Sequence, residues 1–595
     1  MDEYFELEAL ILTVLKKANT ALEEIENLPD PLVPQGTLGT GEDDLPDLPV
    51  DPAPTIGDTY FVATDGTYGG KPAHVGDTFF YNKASAWSYV PTGDIDTWRN
   101  VFVNGVEVLS IADKSPLKFK GGQHIKLEVV DGEIIISVDG TLPVPIIYGF
   151  HIDPDESDPE DKVTYLADAA GFSPAYMDYA NNKFVYGSWK DAFFMPKTCM
   201  LKPNGTVDFY LDPSDDTKRE DGVTPSHVDH LGNIELTSTS SAAYAVDDYI
   251  VYDDKLWQAA AAIAIGDTLE DGVNITEVEN APNVDDNAMV EWGQNGNKIW
   301  YKIVPDVGDN TGASIYISNQ QVDDGYRAWS FINHGGTLKD HFYTPIYDGT
   351  IDKKNRLRSI MHGNYSNLCQ NKNVTQEVAA AELNNPANMK IWYTEQLCDD
   401  VIGIFLLILM AKSTDMQTAY GKGCTGKSSA ASSMISPGTM SKKGMFWGSN
   451  NGTDGVKVFG MENKWGNQWR RFAGLVMVDY VQKYKMTRST ADGSGALDYN
   501  QTGEGYLIGG TGPSSAGYVS KMEYNSDAFF DNSVANGNSN VHYCDYWYPA
   551  SGTRYALRGG DCGYSANAGA FYVFLYNATS YTSWSIGAAL SCKPL

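Results

Sequence analysis

Basic residues are scarce in this chain: 43 lysines and arginines stand against 77 aspartates and glutamates, a formal charge of −34. Such an excess repels phosphate backbones and anionic headgroups, so nucleic acid is excluded as an expected partner. Cysteine is sparse too. Seven scattered residues, an odd number, do not make the closely spaced framework of a small secreted disulfide domain and read as mostly reduced thiols. Long apolar runs are missing: the longest, Val401 to Ala411, is too short for a bilayer and predicts a buried helix, so no membrane insertion is expected. The opening Met1-Asp2-Glu3-Tyr4 has no basic n-region of an export signal, which points to assembly in a cytoplasm.

Glycine and aromatic residues are abundant, with 58 glycines, 36 tyrosines and 13 tryptophans, the composition of folded, loop-rich β structure with binding surfaces. At 595 residues the chain exceeds one hydrophobic core and should divide into several units. Tyr4, Leu7, Ile11, Val14, Ala18, Ala21, Ile25 and Leu28 alternate at spacings of three and four, predicting a coiled-coil helix over 1–28. Leu15 and Leu22 widen the stripe and favour more than two strands or packing against a further surface; a homotrimer is expected, the alternative being one amphipathic helix lying on its own domain. Residues 29–55 carry the prolines of a semi-extended linker. A small β stalk module over 56–95 holds an internal repeat, Ile56-Gly-Asp-Thr-Tyr60 echoed by Val75-Gly-Asp-Thr-Phe79. A second stalk module over 96–147 centres on a hairpin about Asp131-Gly132. A globular domain fills 148–240 and 281–595, interrupted by an inserted β module at 241–280.

Three patterns invite chemistry, and each has a plainer reading. Gly421-Lys-Gly-Cys-Thr-Gly426-Lys427-Ser428 fits the phosphate-loop pattern, yet no buried strand enters it and no helix follows, so a surface loop is expected. The acid clusters at Asp153–Asp158 and Asp212–Asp216 lack the spacing of a calcium loop and read as solvated turns. His227 and His230 have no Cys or carboxylate set to complete a metal site. No metal, no cofactor and no catalytic set is expected. Carboxylates are nevertheless abundant enough that a glycan-degrading enzyme stays open as an alternative, since two acids suffice for glycoside hydrolysis.

Two resemblances organise the rest. Ile56-Gly-Asp-Thr-Tyr60, Val75-Gly-Asp-Thr-Phe79, Trp87-Ser-Tyr-Val-Pro91 and Trp98-Arg-Asn-Val-Phe-Val-Asn-Gly105 resemble segments of phage head-fibre and tail-fibre stalks over about residues 55–140. Gly455-Val-Lys-Val-Phe-Gly-Met-Glu-Asn-Lys-Trp-Gly-Asn-Gln-Trp469 resembles the signature of C-type-lectin-fold proteins related to the formylglycine-generating-enzyme family. Leu557-Arg-Gly-Gly560, Ala568-Gly-Ala570 and Trp584-Ser-Ile-Gly587 resemble its closing motif. The best match is to the variable proteins of diversity-generating retroelements, which display changeable residues between fixed scaffold positions. The cysteine pair and metal site of the enzyme branch match no segment here, so no enzyme is expected.

The resemblance implies a multidomain fold class: an N-terminal helix or coiled coil, a β-rich fibre stalk and a C-terminal α+β C-type-lectin-like domain. It implies a bacteriophage receptor-binding protein, a head or tail fibre made in the host cytoplasm and carried on the virion. Its partners would be virion structural proteins and a host-cell surface protein or glycan; a structural head decoration is a further alternative. The variable face would comprise Asp561, Cys562, Tyr564, Phe574, Tyr576, Tyr581, Ser583 and Ser585, extended by Tyr543, Asp545, Tyr546 and Tyr548. Residue chemistry points the same way: tyrosine gives rigid contact area with a polar tip, and serine and aspartate add adaptable hydrogen bonds. Trp584, Gly559, Gly560 and Gly587 read as framework, Trp584 as a buried anchor.

Overall fold

The computed structural model describes residues 33–90 apart from 43, 50–52, 57, 76 and 82–85. It describes the backbone of strands Phe102–Val103, Val106–Glu107, Ile125–Val130 and Glu133–Val138, and residues 144–595 apart from 488–502 and 536–537. The coiled-coil stripe from Tyr4 to Leu28 lies outside the described residues. Two units emerge, Met1–Val144 and Pro145–Leu595.

In the first unit the internal repeat becomes neighbouring strands. Asp58–Val62 and Thr78–Tyr81 pair antiparallel with Tyr60 opposite Phe79, inside a four-stranded sheet completed by Val33–Leu38 and Trp87–Val90. Leu38, Tyr60, Val62 and Phe79 form its core against Trp87 and Tyr89. Part of the proline-rich stretch thus joins a sheet, at an edge where a missing N–H is tolerated, and its register slips between Pro34 and Gly36. Ile125–Val130 and Glu133–Val138 pair antiparallel with Val130 opposite Glu133.

The second unit corrects the expected fold class. Strands dominate it, and α-helix among the described residues is confined to Val374–Glu382, Leu397–Ala411 and Met416–Tyr420, so the α+β lectin-like domain is not the architecture found. The reason is local. The long apolar run ending at Ala411 makes a helix despite Gly403, whereas left-handed turns at Asn355, Asn371, Asn388, Asn463 and Asn467 cut the surrounding sequence into short extended pieces. A seven-stranded sheet places the C-terminal strand Leu590–Cys592 between Phe342–Pro345 and Trp392–Thr394. A nine-stranded sheet runs in the order Leu507–Thr511, Val481–Tyr484, Trp469–Val478, Thr553–Gly559, Gly569–Leu575, Tyr546–Pro549, Gly517–Tyr524 and Phe529–Ala535, with Ile586–Ala588 parallel to Trp469–Val478. Its two end strands meet, Gly509 lying under the Phe530 ring, so the sheet curls towards a barrel.

The helix Leu397–Ala411 is buried along its whole length in the main core. Its first turn carries Asp399 and Asp400, which favour a helix N-terminus and are matched by cations from the sheets: Lys593 at 2.8 Å from Asp399, Arg558 at 2.7 Å and Lys464 at 3.0 Å from Asp400. These buried pairs fix the helix against the strand that carries Arg558. Residues 241–280 hold a three-stranded sheet, Tyr249–Tyr252, Lys255–Ala259 and Ile275–Glu277, with its own cluster of Tyr244, Ile250, Trp257, Ile263 and Leu269.

Candidate functional site

Strand alternation builds an aromatic face on the nine-stranded sheet. In Gly569–Leu575 the side chains of Phe571, Val573 and Leu575 enter the main core, so Tyr572 and Phe574 point to the other side. Tyr546–Pro549 runs parallel to it with Tyr548 beside Phe574; Trp547 is buried in the main core, leaving Tyr546 and Tyr548 on the same side as Phe574. Tyr548 and Phe574 stack at 5.3 Å and 9°, and Tyr576 lies 5.5 Å from Tyr548. At the base stands Trp469, 3% exposed, touching Tyr572 at 4.7 Å, Tyr564 at 5.0 Å and Phe574 at 5.1 Å. Tyr546 continues the chain of rings to Tyr518 at 5.1 Å, whose hydroxyl donates to Asn567 at 2.6 Å.

The loop after this strand, residues 576–585, is held by its own carbonyls. Tyr555 N–H donates to the carbonyl of Asn577, Val374 N–H to Thr579 and Asn371 N–H to Ser583, while Trp469 N–H reaches Ser585 at 2.8 Å. The Arg471 guanidinium donates to the carbonyl of Tyr581 at 2.9 Å, and the Gln468 amide to that of Trp584 at 3.0 Å. Six carbonyls anchor the loop while the side chains of Tyr576, Ala578, Ser580, Tyr581 and Thr582 are exposed. Ser583 and Ser585 are half-buried and share a hydroxyl contact of 3.1 Å.

Electrostatically the face is quiet. Burial pushes the Tyr564 phenol up to about 12 and raises Tyr572, so both stay neutral at physiological pH. Arg471 lies buried behind the loop and pairs with Glu377 at 3.1 Å; burial drives the Glu377 carboxyl upward while Arg471 pulls it back.

Four expected face residues are interior instead. Tyr543 is 1% exposed, its hydroxyl 2.9 Å from that of Tyr524 and its ring against Phe571. Asp545 is 2% exposed and accepts the Phe571 N–H at 2.7 Å, which ties the strand start in place. Asp561 is buried with its carboxyl raised by that burial, and accepts the Gly563 N–H at 2.9 Å. Cys562 is fully buried in a cluster with Leu368, Cys424 and Met434, which half-buried Trp584 also joins. None of the four can meet a macromolecule. Tyr546, Tyr548, Tyr564, Phe574, Tyr576 and Tyr581 do come together around the sheet and its loop. Tyr518 and Tyr572 were missed, although Tyr572 stands two residues before Phe574 and alternation alone puts it on the same side.

Four amides within the phosphate-loop pattern are engaged elsewhere. Lys422 N–H donates to Ser449, Thr425 and Gly426 N–H to Gly452, and Lys427 N–H to Cys562, while the Gly421 carbonyl accepts the Trp465 indole. Amides already bonded to carbonyls cannot cradle a phosphate. Lys427→Ala should therefore leave thermal melting and ligand binding unchanged; saturable ATP binding by the unaltered protein, lost in that variant, would refute this. His230 stacks on Tyr249 at 3.7 Å, and Asp216 is buried in an ion pair with Lys457 at 2.7 Å rather than solvated as expected. No group of three or more His, Cys, Asp or Glu side chains is arranged to hold a metal among the described residues.

No protein-family model matches the chain, and no curated protein matches it.

Proposed function

We propose that this chain is a bacteriophage fibre adhesin that binds a host-cell surface receptor through the aromatic face and the 576–585 loop, and that this face is built to be varied. The observation that carries the reading is the anchoring of the loop. Side chains that make the fold's bonds cannot be exchanged freely, but here the bonds come from backbone carbonyls common to every residue type. Exposed side chains on such a loop change the contact surface without changing the scaffold. Tyrosines supply area at low entropic cost, as in antibody-like contact surfaces. Virion structural proteins would be its further partners.

The test replaces Tyr576, Ala578, Ser580, Tyr581 and Thr582 together by a different mixture of polar and aromatic residues. Folding stability should stay within about 0.5 kcal/mol per site, as for surface changes generally, while adsorption to the host cell is lost or redirected. A shuffled loop that melts early and still adsorbs would make these side chains structural and sink the proposal. A near-copy of the final coding segment beside a reverse-transcriptase gene would give independent support.

A further inference from the structure

Next to the loop lies a groove of about 470 Å³ along residues 365–372. This trough shares Ile351 and Asn367 with a neighbouring cavity of about 400 Å³ that reaches His362, Lys353 and the carboxylates Asp248 and Asp352. One end abuts the candidate ligand face, because the Asn371 N–H donates to the carbonyl of Ser583 inside the loop. The 365–372 groove contains one cation, Lys372, and no carboxylate, in a chain of net charge −34.

The free polar groups of the groove define its chemistry. The Ser366 hydroxyl and the Asn371 side-chain amide are exposed and make no hydrogen bond with any described residue, while the half-buried Lys372 ammonium also acts on the Glu377 carboxyl, which burial raises and Lys372 lowers. Half-buried Ile351 and Tyr365 provide the less polar lining, Leu368 beneath them being buried. A planar amide, a hydroxyl and an ammonium in one groove with Ile351 and the Tyr365 ring match a sugar ring, which offers hydroxyls at its rim and C–H groups on its faces. Polyanions are disfavoured by the field of the whole chain. We propose that the trough binds a neutral oligosaccharide that continues from the aromatic face; this rests on the adhesin reading of that face and names its ligand class.

The probes are maltohexaose, cellohexaose and chitohexaose, each titrated against the full chain and followed by saturation-transfer NMR. Two variants address the groove alone. Ser366→Trp fills it, and Asn371→Gly removes the amide at a position whose φ of 55° suits glycine. Thermal melting of both should match the parent. At least one hexasaccharide should bind, with affinity lowered about tenfold or more by Ser366→Trp and about fivefold by Asn371→Gly. Affinity should change less than about twofold between about 50 mM and 500 mM salt. Binding that survives both groove variants but is lost in Tyr581→Ala would overturn the trough while leaving the adhesin intact. Failure of all three sugars to bind, or a steep fall with salt, would overturn it as well; the adhesin reading is then judged by cell adsorption, which does not depend on these probes.

Discussion

Alanine at Trp469 is expected to lower folding stability by about 3–5 kcal/mol, the range for truncating a large buried aromatic. The indole is 3% exposed and is the ring on which Tyr564, Tyr572 and Phe574 all rest, so its loss opens a cavity beneath the whole face. It also removes one of the neighbours that lower the buried Asp561 carboxyl, which keeps the Gly563 N–H. Trp469→Phe keeps a ring and should recover part of the loss. Chemical denaturation of the three proteins, with near-ultraviolet circular dichroism as a report on aromatic packing, checks the order. A Trp469→Ala protein within about 1 kcal/mol of the parent would mean that the face does not depend on this base. The same experiment on Trp584→Ala should show a smaller effect, because Trp584 is half-buried in a small satellite cluster and not the buried anchor its sequence neighbourhood suggested.

That contrast marks where sequence reasoning stops. Trp469 and Trp584 both sit in motif-like segments, and nothing in their immediate neighbours says which carries a cluster of rings; the answer depends on Gly569–Leu575 pairing in parallel with Tyr546–Pro549. The hairpin about Asp131-Gly132 and the helix ending at Ala411 were legible because turn chemistry and an unbroken apolar run are local signals. The repeat at Ile56 and Val75 was legible as two strands, but not as strands adjacent to one another. The α+β expectation failed for the opposite reason: it extended one helix and a few motifs to a whole domain, whereas frequent left-handed asparagines had already divided the chain into short strands. Within the candidate face, alternation separated Tyr546 and Tyr548 from Trp547. Tyr543 and Asp545 precede that strand, where no period applies, and both went into the interior.

Alanine at Tyr548, Tyr576 or Tyr581 is expected to lower receptor affinity by about 1–3 kcal/mol each, roughly 5- to 150-fold in Kd, with little loss of stability. These three rings are the exposed members of the set, at 38%, 48% and 48%, and so can be desolvated by a partner. Their backbone is held independently of their side chains, so truncation removes contact area without freeing the loop. The variants should not all combine alike. Tyr548 and Tyr576 lie 5.5 Å apart, and Tyr548 also stacks on Phe574, so removing both should deviate from additivity by about 0.5 kcal/mol or more. Tyr581 makes no ring contact with either among the described residues, and its loss should add to theirs within about 0.5 kcal/mol. Tyr564→Ala is the control: half-buried against Trp469, it should lose stability together with binding. Host-cell adsorption and thermal melting measured on the same preparations decide the matter. If the three exposed tyrosine variants melt early while adsorbing normally, these rings serve the fold and the receptor is met elsewhere on the molecule.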